Sequence, residues 1–135
     1  MFVHETKVRV RYAETDQMGY MYYGNYPAFY EVARGEMLRD MDLTYKGFEE
    51  SGIMMPVTAM NVKYIKPARY DDEITIRSIV KKLPGVRIQI FHELYNPAGE
   101  LINTAEVVLV FVNMETMKPC KGPDKLINSL LPFVN

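Results

Sequence analysis

Helical and strand-like periodicity follow one another in a fixed order along this chain, and that order restricts the fold. One long stretch of helical spacing runs from about Pro27 to Met41. Four strand-like segments follow it, at about Val57–Ile65, Glu73–Lys82, Val86–Tyr95 and Leu101–Asn113. A further strand pattern precedes the helix, where Val8 and Val10 alternate with Lys7, Arg9 and Arg11 across about Thr6–Tyr12. Strands without intervening helices are not the alternating order of a parallel sheet. The order predicts an α+β fold, one long helix wrapped by the concave face of about five antiparallel strands.

Local signals set the element limits. Pro27 suits a first helical turn, where its missing N–H costs nothing. Tyr26, Tyr30, Ala33, Met37 and Met41 recur at intervals of four and three, and Phe29 and Val32 widen that face. Gly35 costs about 1 kcal/mol relative to Ala in mid-helix, and close packing against a sheet would explain it. A shorter helix, about Leu43–Ser51, ends at Gly52 as a C′ glycine. Turn chemistry at Lys66-Pro67-Ala68-Arg69-Tyr70-Asp71-Asp72, Leu83-Pro84-Gly85 and Asn96-Pro97-Ala98-Gly99 predicts antiparallel hairpin neighbours. Ala105–Val112 is apolar on both faces apart from Glu106, which suits a strand buried on both sides. Pro123–Leu131 reads as a closing helix. With no repeat, low-complexity tract or linker-like stretch, residues 1–135 read as one domain.

Composition narrows the function classes. The net charge of -1 argues against a general nucleic-acid binder. The single cysteine, Cys120, excludes an internal disulfide, and two histidines argue against a structural zinc cluster. His4 and His92 read as strand residues rather than metal ligands, and Cys120 as a bystander thiol. The longest apolar run, Val107–Val112, is too short for stable membrane insertion. An N-terminus that alternates in place of an apolar signal core gives a cytoplasmic expectation. Phosphate-loop, dinucleotide, zinc-protease and serine-hydrolase motifs are absent.

The unusual segment runs from Tyr12 to Tyr26. Six of the ten tyrosines fall between Tyr12 and Tyr30. A loop with aromatics and carboxylates that runs into a helix start suits a functional site. Unpaired N–H groups at a helix start can stabilise negative charge on a carbonyl oxygen. The alternative is that Asp16 and Asn25 form only Asx turns and the tyrosines only fill an apolar seam.

In this segment, Tyr12, Glu14-Thr15-Asp16, Gly19, Tyr22 and Asn25-Tyr26 match a family pattern. So do Phe29-Tyr30-Glu31-Val32-Ala33-Arg34 and the later Tyr64-Ile65-Lys66-Pro67-Ala68-Arg69-Tyr70-Asp71-Asp72. The chain resembles the hotdog-fold acyl-CoA thioesterases of the 4-hydroxybenzoyl-CoA thioesterase group, closest to the branch typified by bacterial Tol–Pal-cluster thioesterases. The resemblance spans nearly the whole chain. It implies a long central helix wrapped by a five- to six-stranded antiparallel sheet. It also implies hydrolysis of an acyl-CoA thioester, with Asp16 as catalytic carboxylate and the Tyr23 backbone N–H as donor to the carbonyl oxygen. Gly19, Tyr22, Gly24 and Asn25 would contact substrate, Asn25 alternatively orienting the loop or capping the helix. Coenzyme A would be part of the substrate rather than a separate cofactor, and no metal is implied. The active site would lie between subunits of a homodimer or homotetramer. Lys63, Lys66, Arg69, Lys81, Lys82 and Arg87 could meet the nucleotide phosphates.

One departure narrows the chemistry. Many members of that branch carry a His before Ala-Asn-Tyr, where this chain has Tyr23-Gly24-Asn25-Tyr26. An imidazole mechanism at that position is therefore ruled out, while a carboxylate mechanism through Asp16 stands. Glu31 and Arg34, one turn apart, read as a structural ion pair, and Glu14 as a partner for nearby backbone. Two other functions fit the same fold: a non-catalytic acyl- or aryl-ligand binder, and a dehydratase of 3-hydroxyacyl thioesters. The second would need a histidine that the loop does not supply.

Overall fold

The computed structural model describes residues 1–134. β1 (Phe2–Arg9) starts earlier than its sequence pattern indicates and stops at Arg9. The chain then bends into a single 3₁₀ turn at Tyr12–Glu14. The Glu14 side chain holds that turn, with Oε1 accepting the Arg11 N–H at 2.7 Å. A second 3₁₀ turn, Tyr23–Asn25, leads directly into α1 (Tyr26–Asp40). α2 (Tyr45–Glu50) is capped by Thr44 Oγ1, which accepts the Gly47 N–H at 2.9 Å. Gly52 follows at φ +93, the left-handed stop expected there.

The remaining elements are mostly strands. They are β2 (Ile53–Met54), β3 (Val57–Tyr64), β4 (Glu73–Val80), β5 (Arg87–Tyr95), β6 (Leu101–Val110), β7 (Val112–Asn113) and β8 (Lys118–Pro119), closed by α3 (Asp124–Leu130). Five form one sheet in the order β1-β4-β5-β6-β3, with every pairing antiparallel. β2, β7 and β8 form a small separate sheet. The apolar run expected as one strand to Asn113 therefore divides at Phe111.

Two of the three turns join hairpin neighbours, β4 to β5 and β5 to β6. The third does not. β3 pairs with β6 at one edge, and the segment after it crosses to β4, between β1 and β5. Contacts beneath the start of α1 hold this crossing. The Met21 N–H donates to Ala68 O at 2.8 Å, and the Val10 N–H donates to Asp72 O at 2.9 Å.

α1 lies against the sheet and buries Tyr26, Phe29, Tyr30, Ala33, Met37 and Leu38. Burying each large apolar side chain contributes roughly 1.5–3 kcal/mol. Val32, expected on this face, is 45% exposed. At 100° per residue it lies about 130° from the centre of the buried stripe. Arg34 lies nearer that centre and is buried instead. It does not pair with Glu31 as expected: its Nε donates to the Tyr45 hydroxyl at 3.3 Å. Gly35 makes no close approach to the sheet, because a Cβ there would meet only Arg39 Nη1 at 3.7 Å.

The interface between α1 and the sheet is not wholly apolar. Ser78, His92 and Asn103 are fully buried on β4, β5 and β6. His92 stacks on the Tyr30 ring at 5.3 Å and shares a hydrogen bond with Ser78 Oγ at 2.9 Å. Tyr30 donates its hydroxyl to Asn103. Burial, with the Arg34 charge nearby, lowers the His92 pKa to about 3. Both histidines are strand residues, as expected. His4 on β1 ties that edge to the end of α1 through Asp40, at 2.7 Å. β6 alternates fully buried with half-buried positions, so it is closed on the helix face and only partly covered on the other.

Candidate active site

The loop after the first 3₁₀ turn is shaped by Asp16. Its Oδ1 accepts the Met18 N–H at 2.9 Å and the Tyr20 N–H at 3.3 Å, an Asx turn. The Asp16 N–H donates to Tyr20 O at 2.8 Å, closing the loop on itself. Gly19 sits at φ +80, a left-handed conformation that a side chain would oppose. Asp16 therefore forms an Asx turn, Asn25 does not, and the second Asp16 carboxylate oxygen, Oδ2, has no hydrogen bond among the described residues.

Glu14 fastens this loop to the helix start. Its main-chain carbonyl accepts both the Tyr22 N–H at 2.8 Å and Asn25 Nδ2 at 2.9 Å. Asn25 thus orients the loop and makes no side-chain cap on α1. The Tyr22 carbonyl in turn accepts the Asn25 N–H at 2.9 Å. That bond polarises the peptide unit carrying the Tyr23 N–H and strengthens it as a donor. Among the described residues the Tyr23 N–H itself donates to no protein acceptor.

Asp16 and Tyr23 line one cavity of about 340 Å³, with Met18, Tyr20, Tyr26, Tyr64 and Lys66 among its other walls. Gly19, Tyr22, Gly24 and Asn25 do not line it. Tyr22 packs its ring on Tyr23 at 4.7 Å and is 46% exposed beside the cavity. Gly24 leaves room for that ring, since a Cβ there would lie 2.6 Å from it. Gly19 and Asn25 shape the backbone as described. Sequence reasoning did not single out Tyr64. Its hydroxyl donates to Tyr23 O at 3.3 Å and its ring meets Tyr26 edge-on at 5.3 Å. The signal was the Tyr64-Ile65-Lys66-Pro67 motif, which supports the fold more than the chemistry.

The basic residues are unevenly placed. Lys66 is at the cavity, paired with Glu100. Arg69 lies over the Tyr20 ring at 5.0 Å. Lys81 sits over Phe91 on the far face of the sheet. A larger depression of about 630 Å³ lies among Glu5, Lys7, Glu73 and Arg77, away from α1. Its Glu73 carboxylate is taken up by Lys7 and Arg9. Among the described residues, no three His, Cys, Asp or Glu side chains come together to hold a metal ion.

The fold and this loop find counterparts among known proteins. Residues 10–130 match the thioesterase-like superfamily. The chain belongs to that family. The acyl-CoA thioester hydrolase YbgC of Escherichia coli is 35% identical over 120 residues, covering 89% of this chain and 90% of that one. A DHNA-CoA thioesterase structure from Staphylococcus aureus superposes with a TM-score of 0.85 at 36% identity, over 90% of this chain and 81% of that chain. A 1,4-dihydroxy-2-naphthoyl-CoA thioesterase from Synechocystis has a TM-score of 0.91 at 16% identity, covering 98% of each chain, a likeness of fold. The architecture is that of a hotdog thioesterase, one long helix wrapped by an antiparallel sheet. Among the described residues, no helix is long and apolar enough to cross a membrane.

Proposed function

We propose that this site hydrolyses acyl-CoA thioesters. The observation that carries the reading is that one cavity is lined by both Asp16 and Tyr23, whose N–H has no protein acceptor among the described residues. A thioester needs both: a base or nucleophile at its carbonyl carbon, and a donor for the oxygen as charge develops there. Two backbone N–H groups fix Oδ1 in place. Oδ2 is left either to attack the carbonyl carbon, giving an anhydride that water then opens, or to take a proton from the water that attacks it. In both cases the C–S bond breaks and coenzyme A leaves as its thiolate. The Tyr23 N–H receives the oxyanion, a contact worth roughly 10²–10³ in rate. Gly19, Gly24 and Asn25 support this arrangement through the shape of the loop, and Tyr22 stands beside the cavity.

The walls suit a flat or apolar acyl group, since Tyr20, Tyr23, Tyr26 and Tyr64 supply ring edges and faces. That agrees with a relative named as a 1,4-dihydroxy-2-naphthoyl-CoA hydrolase. Lys66, on the cavity wall, and Arg69, over the Tyr20 ring, would meet the coenzyme A phosphates.

A second copy of the chain completes the reading. β3 pairs only with β6, and seven of its eight residues are exposed. A strand open on one edge and both faces is a template for pairing. β1, the other edge, carries charged pairs such as Lys7 with Glu73 and Arg9 with Glu73. Pairing along β3 would place the cavity walls Tyr64 and Ile65 at the seam of a homodimer, from which a tetramer could be built.

Thiol release from a panel of short-chain, long-chain and aromatic acyl-CoAs tests the function. Turnover of at least one class is expected. Tight binding of every acyl-CoA without release of free thiol would replace the hydrolase with a ligand-binding protein.

A further inference from the structure

We propose that Tyr64 is a positioning residue for this reaction, acting through the carbonyl of Tyr23. The proposal rests on the reading that the Tyr23 N–H receives the thioester oxygen, and it adds what aims that donor.

The turn that carries Tyr23 is anchored on two sides. On the loop side, the Glu14 carbonyl takes the Tyr22 N–H and Asn25 Nδ2. On the sheet side, the Tyr64 hydroxyl donates to Tyr23 O at 3.3 Å. Among the described residues this is the one side-chain hydrogen bond from the five-stranded sheet to residues 22–25. The same carbonyl accepts the Tyr26 N–H, which starts the helix. Tyr64 therefore ties together the end of β3, the donor residue and the first turn of α1. A turn held only from the Glu14 side could pivot about that carbonyl, and a backbone N–H loses strength steeply as its angle to the acceptor falls.

The position of Tyr64 on the sheet makes it suited to this. It is the last residue of β3, opposite Asn103 of β6 on the helix-facing side. Its ring stands edge-on to Tyr26 at 5.3 Å and to Tyr23 at 6.4 Å, so the hydroxyl is held over the turn. β3 is also the open edge of the sheet. Pairing of a second copy along that edge would stiffen the strand from which Tyr64 reaches, linking assembly to the aim of the donor.

Tyr64→Phe separates this role from that of a cavity wall, because it keeps the ring and removes only the hydroxyl. An oxyanion donor acts on the transition state rather than on substrate binding. The expected result is a fall in kcat of about five-fold with KM within two-fold, the scale of one hydrogen bond. Amide exchange supplies a readout independent of turnover. In Tyr64→Phe, the Asn25 and Tyr26 amides should exchange about five-fold faster while those of β6 stay unchanged. Unchanged kcat, a loss carried by KM alone, or unchanged exchange at Asn25 and Tyr26 would overturn the proposal. A wild-type chain that turns over no acyl-CoA would instead overturn the hydrolase reading, and the exchange comparison would still decide the role of Tyr64.

Discussion

At the scale of single residues, the site depends on backbone groups held by a few side chains. Gly19 is the clearest case, because its φ of +80 is needed for the Asp16 loop to close. Placing Ala there should cost about 1–2 kcal/mol, the penalty of the left-handed conformation for a residue with a Cβ. Gly19→Ala should thus lower the thermal midpoint and reduce kcat. Gly19→Asn, which tolerates that conformation better, should recover part of both. Equal stability and turnover in all three chains would show that the loop does not need this geometry. Asp16 was legible in the sequence because the carboxylate belongs to a recognisable run of residue types. The Glu14 carbonyl was not, since any residue type supplies a main-chain acceptor, and only folding shows which one takes two donors. Asn25 was legible as important, with its roles open. The bond from Asn25 Nδ2 to Glu14 O assigns it to the loop.

At the scale of elements, the packing of α1 on the sheet includes a buried polar row with a pH signature. His92 is held neutral, its pKa lowered to about 3 by burial first and the Arg34 charge second. An unfolded chain binds a proton at this histidine below about pH 6.5, whereas the folded chain does not until about pH 3. The stability contributed by keeping His92 neutral is therefore intact above pH 6.5. It is lost on acidification at up to about 1.4 kcal/mol per pH unit. Urea midpoints at pH 7 and pH 5 should show this loss, and His92→Gln, which cannot titrate, should lose less. A variant with the same pH dependence as wild type would remove His92 as its source. The elements themselves were readable from period and turn chemistry. Leu83-Pro84-Gly85 and Asn96-Pro97-Ala98-Gly99 do join neighbours, because a short reversal leaves the chain beside the strand it came from. The segment from Lys66 to Asp72 reverses the chain without fixing which edge it reaches, so the crossing from β3 to β4 was hidden. Val32 and Arg34 show the same limit: helical spacing marks a stripe, but packing decides how far round the helix it extends.

At the scale of the whole molecule, the cavity lies beside the open β3 edge, so the proposed assembly and the proposed turnover can be tested together. Met60, 37% exposed on β3, lies near the middle of the proposed pairing edge. Met60→Glu should place like charges in proximity across a two-fold seam. It should shift the chain toward monomer in sedimentation and reduce turnover in proportion. A variant that sediments as wild type would move the interface elsewhere. The most direct measurement of the central claim is thiol release by wild type and Asp16→Asn at matched concentration, with folding verified by the thermal midpoint. Hydrolysis through this carboxylate predicts a fall in kcat of at least 10² in the variant. Turnover retained within ten-fold by a folded Asp16→Asn chain would contradict it.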